Sequence, residues 1–456
     1  MTRRLGSASH GASGATQKYG CRVEVAGSLL DLVGNTPMVR LGRVAASAGL
    51  TCDLVAKVEL FNPGGSVKDR PAIAMIDAAE REGKLLPGGT IVEPTSGNTG
   101  VGLAIVAAQR GYRCIFVMSD KMSDEKVALL RAYGAEVVVC PTAVPPEHPD
   151  SYYSVADRLT RETPRAFRPD QYSNPHNPEE HARSTGPEIW RQTDGRVTHF
   201  VAGIGTGGTI TGVARALKAQ NPAVQIIGAD PAGSVFSGGT GRPYLVEGVG
   251  EDFWPTTFDP ELVDRVIEVS DADSFATARR VTREEGLLIG GSGGTAVHAA
   301  LVVGADLGPE DLVVVLLPDS GRGYLSKIFD DEWMTRYGFL RSPEGPCVGD
   351  VLDAKRDAAG SRAIPELVIV TKEQPARRAV SLMRELGVSQ VVVAVTDELP
   401  LAAKEVSGTL SELALMDRAF RDPAVLDRPA GEVMGPPLPM VGVGETVTDV
   451  VEALDR

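Results

Sequence analysis

Short apolar runs alternate with longer amphipathic stretches through most of the chain. Between residues 29 and 340, β-branched runs such as DLVAKVEL and CIFVM are separated by Ala-rich segments such as PAIAMIDAAEREGKL and GVGLAIVAAQRGY. This alternation is typical of βαβ units around a parallel sheet. The apolar runs lack polar alternation, which is typical of strands covered on both faces. The sequence therefore predicts an α/β fold over residues 29–340.

The flanking segments have different patterns. Residues 1–28 are rich in Gly, Ser, Ala and Thr without a sustained apolar period, which predicts a flexible tail. Pro, Gly and charged residues interrupt the alternation at 341–348, which predicts a linker. Residues 349–456 give a strand–helix–strand order, and PLPMVGVGETVTDVVEALDR begins that order again. This predicts a smaller α/β module of paired repeats with a truncated second copy.

Composition narrows the classes of function. Hydrophobic residues make up 43% of the 456 residues and charged residues 23%, as in an ordinary globular protein. The net charge of −14 argues against nucleic acid, because phosphate backbones are bound by clustered positive charge. The five cysteines form no C-x-x-C pair, and no apolar run suits a membrane span or a secretion signal. We expect a cytoplasmic protein with no membrane partner and no metal site.

The segment NPGGSVKDRPA carries Lys68 between a predicted strand and a predicted helix. A lone lysine is usually a solvated surface charge. Here two preceding glycines let the backbone approach a ligand closely, and an amine near a helix N-terminus has reason to lose its proton and act as a nucleophile. Lys68 is therefore a candidate catalytic residue.

The segment EPTSGNTG follows the predicted strand TIV and precedes a predicted helix. The hydroxyls of Thr95, Ser96 and Thr99, with loop N–H groups at a helix start, suit an anion such as a carboxylate. The carboxamide of Asn98 could hydrogen-bond a ring oxygen of a cofactor. An ordinary helix cap and turn is the alternative, since these residue types are common there.

A third loop, GIGTGGTITG, also lies between a predicted strand and a predicted helix. The backbone N–H groups of residues 205–209 can donate hydrogen bonds to a phosphate, and the dipole of the following helix favours its negative charge. The spacing is also weakly dinucleotide-like, with Asp230 as the acid expected about twenty positions later. Taken alone, this loop leaves both interpretations open.

The fourth segment, LLPDSGRGY, follows the strand VVVLLP. Ser320 at the end of a central strand can bond a ring nitrogen. A hydroxyl partner leaves a pyridine largely unprotonated, and this weak electron withdrawal favours loss of a β-substituent. A plain β-turn is the alternative.

Together the four segments supply the parts of one cofactor site. They offer a lysine for a Schiff base, a cradle for a substrate carboxylate, a cradle for a phosphate and a partner for a ring nitrogen. Each follows a predicted strand, so the loops are expected to gather at one edge of one sheet. The combination points to pyridoxal 5'-phosphate and to reaction at the β-carbon of a small amino acid such as serine.

The chain resembles the fold type II pyridoxal-phosphate family, in its group of cysteine synthases and cystathionine β-synthases. The resemblance runs over residues 29–340 through VGNTPMVRL, NPGGSVKD, EPTSGNTG, GTGGT and LLPDSGRGY. It implies two α/β subdomains around parallel sheets. The unit at 349–456 resembles the paired regulatory CBS-type module found in part of this group.

The resemblance also implies roles for individual residues. Lys68 would be the Schiff-base lysine, Asn98 would bond the pyridoxal 3-oxygen and Ser320 would face the ring nitrogen. The phosphate would be held by Gly205, Thr206, Gly207, Gly208 and Thr209. The substrate α-carboxylate would be bound by Thr95, Ser96, Thr99 and Gln171. The second-substrate pocket would be shaped by Tyr172 and Glu247.

The resemblance favours serine and homocysteine as substrates, with O-acetylserine and sulfide as the alternative, and it implies a homodimer.

Two features of the sequence depart from the pattern of this group. Animal members hold an N-terminal haem through a Cys and a His, but Cys21 has no downstream histidine before His148, so no haem is expected. The adenosyl-binding motif needs an acid three residues after its hydroxyl, and Ala414 follows Ser411 instead.

Overall fold

A computed structural model describes residues 25–95, 97–120, 122, 124–141, 148–342, 345–358, 365 and 367–455. The strands in this part of the chain are β1 (Met38–Arg40), β2 (Asp53–Val58), β3 (Thr90–Pro94), β4 (Arg113–Ser119), β5 (Glu136–Cys140), β6 (Ala166–Phe167), β7 (His199–Gly203), β8 (Gln225–Pro231), β9 (Arg265–Val269), β10 (Leu312–Leu317), β11 (Ile369–Thr371), β12 (Gln390–Ala394) and β13 (Val406–Ser411). The helices are α1 (Gly42–Ser47), α2 (Asp69–Arg81), α3 (Asn98–Arg110), α4 (Asp124–Ala132), α5 (Tyr152–Glu162), α6 (His176–Arg183), α7 (Thr185–Gln192), α8 (Gly208–Gln220), α9 (Asp271–Glu285), α10 (Gly291–Gly304), α11 (Asp331–Arg336), α12 (Val348–Ala358), α13 (Ala376–Leu386), α14 (Glu412–Arg421), α15 (Ala430–Val433) and α16 (Val447–Asp455).

The larger sheet has the strand order β1-β2-β10-β7-β8-β9 within the described residues. Strand β10 pairs in parallel with β2 and β7, and all six of its residues are buried. Helix α10 packs its apolar residues on one face of this sheet, and α8 packs on the other. Two covered faces explain why these strands lack polar alternation.

A second sheet has the order β5-β4-β3-β6, and all of its pairs are parallel. Leu103 of α3 packs with Phe116 of β4 in one core cluster. Val155 of α5 packs with Val117 in another. The α/β prediction for residues 29–340, with two subdomains around parallel sheets, is thereby confirmed.

The strands that lead into the four candidate loops belong to two sheets. Strands β2, β7 and β10 lie in the larger sheet, but β3 lies in the second one. The expectation that all four loops gather at the edge of one sheet is therefore wrong. A buried apolar strand has the same sequence pattern in either sheet, so the pattern could not assign β3.

The C-terminal unit is built on a three-stranded sheet of β11, β12 and β13 within the described residues. The first predicted strand–helix–strand repeat corresponds to β11, α13 and β12, and the second predicted helix corresponds to α16. The segment before α16 forms no regular strand in the described part of the chain. Its Gly444 and Glu445 accept hydrogen bonds from the N–H groups of Ser342 and Val348 instead.

No helix in the described ranges is both long enough and apolar enough to cross a membrane.

Candidate active site

Lys68 precedes α2, in the loop that follows β2. The neighbouring Val67 N–H donates to Pro318 O (2.8 Å), which ties this loop to the end of β10. The half-buried Lys68 side chain lines a cavity of about 260 Å³. Burial lowers the pKa of Lys68, although the carboxylates of Asp319 and Glu251 act in the opposite direction. The amine is thus closer to the neutral form that nucleophilic and basic lysines need.

The loop after β3 is held in shape by the hydroxyl of Thr95. Its Oγ1 accepts hydrogen bonds from the N–H groups of Gly97 (3.1 Å) and Gly100 (3.2 Å). Gly97 has a φ of 124°, which a larger residue would adopt only with strain. Thr95 and Asn98 both line the cavity with Lys68. Ser96, which belongs to the same predicted carboxylate cradle, lies outside the described residues.

Thr99 and Gln171 meet across the cavity wall. Thr99 Oγ1 donates to Gln171 Oε1 (2.6 Å), and both residues line the cavity. Two backbone N–H groups, those of Asp170 and Gln171, donate to the buried carboxylate of Glu93 (2.9 Å each). Burial raises the pKa of Glu93 to about 7 despite these hydrogen bonds. Glu93 therefore anchors the segment that carries Gln171.

The glycine-rich loop 205–209 follows β7 and leads into α8. Gly207 has a φ of 77°, and Thr206 Oγ1 accepts a hydrogen bond from the first N–H of α8 (3.3 Å). Gly205, Thr206, Gly207 and Thr209 line a small cavity of about 20 Å³ together with Lys68. Backbone N–H groups at a helix start are a general anion site. The loop is thus suited to a phosphate beside the amine.

Gly208 is not among the described residues that line either cavity. A Cβ atom at this position would lie 2.1 Å from Asn177 Oδ1. Asn177 Nδ2 in turn donates to Thr206 Oγ1 (3.1 Å) and to Gln171 O (2.9 Å). Gly208 therefore makes room for a carboxamide that joins the glycine loop to the Gln171 segment.

Ser320 lies just beyond the end of β10. Its N–H donates to Gly65 O (3.3 Å), and its Oγ accepts the N–H of Arg322 (3.3 Å). Pro318 lines both cavities, whereas Ser320 lines neither of them. The structure therefore places Ser320 beside the Lys68 loop, outside the described lining of the cavities.

Tyr172 lies in an aromatic cluster at the cavity. Its ring centroid is 5.3 Å from that of Phe253 and 6.5 Å from that of Tyr153. Burial, with the nearby Glu251 carboxylate, raises the pKa of Tyr172 well above its usual value. Tyr172 therefore stays a neutral phenol that can donate or accept a hydrogen bond.

Glu247 also lines the cavity, but its carboxylate is paired. Glu247 Oε2 contacts Lys126 Nζ (2.6 Å) and Oε1 contacts Lys327 Nζ (2.7 Å). Burial alone would raise the pKa of Glu247, but the two ammonium groups outweigh it and lower the pKa. The glutamate is therefore an ionised link between two lysines.

Three residues of the site escaped the sequence analysis: Glu93, Asn177 and Asp319. Each is hydrogen-bonded to a predicted residue: Glu93 to Gln171, Asn177 to Thr206, and Asp319 to Asn98 (Oδ2 accepting from Nδ2 at 2.8 Å). Asp319 stands directly before Ser320 in PDSG, so its position was a usable signal. Glu93 likewise begins the segment EPTSGNTG, so its position was a signal as well. Asn177 lies in none of the four segments and carried no signal.

The residues present fit a pyridoxal phosphate. An amine with a lowered pKa, a glycine loop at a helix start and a carboxamide line two cavities that share several lining residues. One buried carboxylate oxygen beside them, Asp319 Oδ1, has no hydrogen-bond partner. Among the described residues, no cluster of three or more His, Cys, Asp or Glu could hold a metal ion. His10 and Cys21, considered for a haem, lie outside the described residues.

The model of the family described as pyridoxal-phosphate dependent enzyme matches residues 29–319. The chain belongs to this family, and its cofactor is pyridoxal phosphate. Among curated relatives, the cystathionine beta-synthase of Rattus norvegicus is 46% identical over 380 residues, covering 80% of this chain and 66% of the relative. That of Dictyostelium discoideum is 40% identical over 394 residues, covering 85% and 78%.

The chain spans only 57% of the Mus musculus cystathionine beta-synthase, to which it is 50% identical over 323 residues covering 69% of this chain. Solved structures are also similar. The O-acetylserine dependent cystathionine beta-synthase of Helicobacter pylori has a TM-score of 0.63 and 37% identity, covering 67% of this chain and 99% of that one. A hydrogen sulfide-producing enzyme of Fusobacterium nucleatum has a TM-score of 0.63 and 35% identity, covering 66% and 100%. These neighbours confirm the predicted fold class.

Proposed function

We propose that the chain joins L-serine to L-homocysteine, giving cystathionine and water, as a cystathionine β-synthase does. The observation that carries this proposal is the Lys68 amine, whose pKa is lowered and which lines two cavities. The lining of these cavities also includes Asn98, Thr99, Gly205, Thr206, Gly207 and Thr209. The names of the rat and Dictyostelium relatives support it.

In this proposal each predicted residue has a part. Lys68 forms the Schiff base, Asn98 donates to the pyridoxal 3-oxygen and Ser320 faces the ring nitrogen. The phosphate is held by Gly205, Thr206, Gly207, Gly208 and Thr209, of which Gly208 acts by admitting Asn177. The substrate carboxylate is bound by Thr95, Ser96, Thr99 and Gln171.

The bound cofactor supplies the electron withdrawal that acidifies the Cα–H bond of serine. The neutral Lys68 amine takes the Cα proton, the Cβ–O bond breaks, and the leaving hydroxyl takes up one proton from solvent to become water. The homocysteine thiol gives one proton to solvent as its sulfur bonds to the β-carbon, and Lys68 returns its proton to Cα. Serine and homocysteine thus give cystathionine and one water.

Tyr172 and Glu247 are proposed to shape the binding pocket of the second substrate. Tyr172 offers a neutral hydroxyl beside an aromatic cluster. Glu247 acts through its two lysines, because its own oxygens are engaged by Lys126 and Lys327. Both side chains line the cavity on which Lys68 lies.

A second candidate reaction is the use of O-acetylserine with sulfide, as in a cysteine synthase. It is favoured by the similarity to the Helicobacter pylori and Fusobacterium nucleatum enzymes, whose names mention O-acetylserine and hydrogen sulfide. The two reactions share the residues around Lys68 and differ in leaving group and nucleophile.

A competition assay with purified holoenzyme separates the two reactions. Serine with homocysteine is expected to turn over faster than O-acetylserine with sulfide, and the reverse order would favour the second candidate. Lys68→Ala is expected to lose turnover by more than about a thousandfold. Lys84→Ala, at a lysine with a 64% exposed side chain, is the matched control and keeps full activity. A Lys68→Ala protein that still turned over would contradict both reactions.

The organisation of the chain is part of the same proposal. It comprises a tail at 1–28, a catalytic domain at 29–340, a linker at 341–348 and a regulatory module at 349–456. We place the protein in the cytoplasm as a homodimer, with amino acids rather than nucleic acids or membranes as its partners. The net charge of −14 supports the exclusion of nucleic acid.

A further inference from the structure

Asp319 is a buried carboxylate between the cofactor loops. Its exposed fraction is 3%, and it comes directly before Ser320. Its Oδ2 accepts hydrogen bonds from Asn98 Nδ2 (2.8 Å) and from the Tyr324 hydroxyl (2.7 Å). Its Oδ1 is buried without a hydrogen-bond partner. A buried polar atom left unsatisfied is costly, so its presence calls for an explanation.

The fold makes room for this carboxylate. A Cβ atom on Gly290 would lie 2.1 Å from Asp319 Oδ1. The φ of Gly290 is −72°, which any residue adopts, so the glycine is needed for space and not for backbone conformation. The main chain of Asp319 also forms a bridge with Ser66 in the Lys68 loop. The position of the carboxylate is therefore set by both neighbouring loops.

The hydrogen bond from Asn98 has a direction that the carboxylate imposes. Burial raises the pKa of Asp319, while the Lys126 ammonium and the hydrogen bonds from Tyr324 and Asn98 act in the opposite direction. In its ionised form the carboxylate only accepts, so it selects the NH₂ end of the Asn98 carboxamide and excludes the oxygen end. The NH₂ group of Asn98 bonds Asp319 and also hydrogen-bonds the Tyr324 hydroxyl. Both neighbours engage the same end of the carboxamide, which sets its orientation on the cavity wall. Without the carboxylate, the amide could turn its oxygen to the same place.

The hydrogen bonds around Tyr324 support the same orientation of Asn98. Lys126 Nζ contacts Glu247 Oε2 (2.6 Å) and donates to the Tyr324 hydroxyl (3.2 Å). An ammonium group can only donate, so the Tyr324 hydroxyl is left to donate its own proton to Asp319. A polarised series thus runs from Glu247 through Lys126, Tyr324 and Asp319 to Asn98.

We propose that Asp319 is a positioning residue that holds the Asn98 carboxamide with an N–H toward the cofactor ring oxygen and thereby keeps that oxygen ionised. The inference rests on the proposed role of Asn98. It adds a residue that acts through Asn98 rather than on the substrate. In this proposal Gly290 and Tyr324, which position Asp319, also help to keep the cofactor ring oxygen ionised.

The test is the absorption spectrum of the holoenzyme without substrate. The ratio of the long-wavelength band, from the ionised ring oxygen, to the short-wavelength band is compared among variants. Asp319→Asn is expected to lower this ratio, because an amide can present either end to Asn98. Asp319→Ala is expected to lower it further and to weaken cofactor binding roughly tenfold in a titration.

Asp230→Asn is the matched control. Asp230 is also buried, accepts two hydrogen bonds from Ser237 through Oδ2 and has an unpartnered Oδ1, but it does not line the cavities. Its variant is expected to keep the wild-type band ratio and cofactor affinity.

An unchanged band ratio in Asp319→Asn would overturn the proposal, as would an equal change in Asp230→Asn. If Asp319→Ala does not fold, the isosteric Asp319→Asn variant still tests the proposed role of Asp319. Because no substrate is present, the result is separate from the proposed reaction. A wild-type protein that binds the cofactor but does not use homocysteine would contradict the proposed reaction and leave the role of Asp319 standing.

Discussion

Arg242 and Glu405 join the catalytic part of the chain to its C-terminal unit by an ion pair, with 2.8 Å between Arg242 Nη2 and Glu405 Oε2. The Glu405 side chain is only 5% exposed, and Arg242 also donates to the backbone oxygens of Glu398 and Pro400. Two residues far apart in sequence thus connect the C-terminal unit to the catalytic part of the chain.

Loss of this pair is expected to loosen the docking. In a double-mutant cycle of Arg242→Met and Glu405→Gln, we expect a coupling free energy of about 1–2 kcal/mol, because the glutamate is buried and the arginine is partly solvated. Urea unfolding of the four proteins measures it. The exposed pair Arg336–Glu332 is the control and should show little coupling. Strictly additive effects at Arg242 and Glu405 would contradict the prediction.

Thr99→Val is expected to weaken binding of the first amino-acid substrate. The change leaves Gln171 Oε1 without the hydroxyl that donates to it at 2.6 Å. We expect KM for serine to rise roughly tenfold with a smaller fall in kcat, since the hydrogen bond orders the carboxylate cradle. Steady-state kinetics measures both. Thr99→Ser keeps the hydroxyl donor and should have a KM for serine close to that of the wild type. If Thr99→Ser raised this KM as much as Thr99→Val does, the proposed role of the Thr99 hydroxyl would be contradicted.

Gly208→Ala is expected to disturb the phosphate loop through Asn177. The added methyl group would meet the Asn177 carboxamide at 2.1 Å and displace it from Thr206 and Gln171. We expect cofactor affinity to fall roughly tenfold in an equilibrium titration, together with a lower Tm. The control is Gly42→Ala, where a methyl group meets nothing within 4 Å. If Gly208→Ala kept the wild-type affinity for the cofactor, the prediction would be wrong, because the loop would then tolerate displacement of the Asn177 carboxamide.

The environment of Glu188 leads us to expect that the folded protein becomes less stable in acid. Burial would raise its pKa, but hydrogen bonds and charge from Arg70 and Lys57 outweigh burial and lower it to about 2. A carboxyl whose pKa is depressed in the folded state stabilises the protein above its unfolded pKa, near 4.5, and this contribution disappears as the pH falls toward about 2.

The contribution of Glu188 is on the order of 3 kcal/mol at neutral pH. Urea unfolding at about pH 7 and about pH 3 is therefore expected to show a smaller pH dependence in Glu188→Gln than in the wild type. Glu332→Gln, at a glutamate with an 80% exposed side chain, should keep the wild-type dependence. An identical dependence in Glu188→Gln would refute the prediction.

Much of the candidate site could be predicted from short segments. Lys68, Thr95, Asn98 and the loop 205–209 each lie within a strand–loop–helix unit, where glycine, helix caps and apolar runs have local causes. Asp319 could also have been found, because it stands next to Ser320. Its function depends on Asn98, however, and that contact crosses from one sheet to the other.

The sequence by itself determined the α/β class, the strand–loop–helix units and the residue types that suit pyridoxal phosphate, because these follow from local periodicity and backbone geometry. Only the tertiary structure decided that β3 lies in a second sheet, that Gly208 makes room for Asn177 and that Glu247 is held between two lysines. Those relationships join segments far apart in the chain. They depend on packing and electrostatics, for which a single sequence carries no local signal.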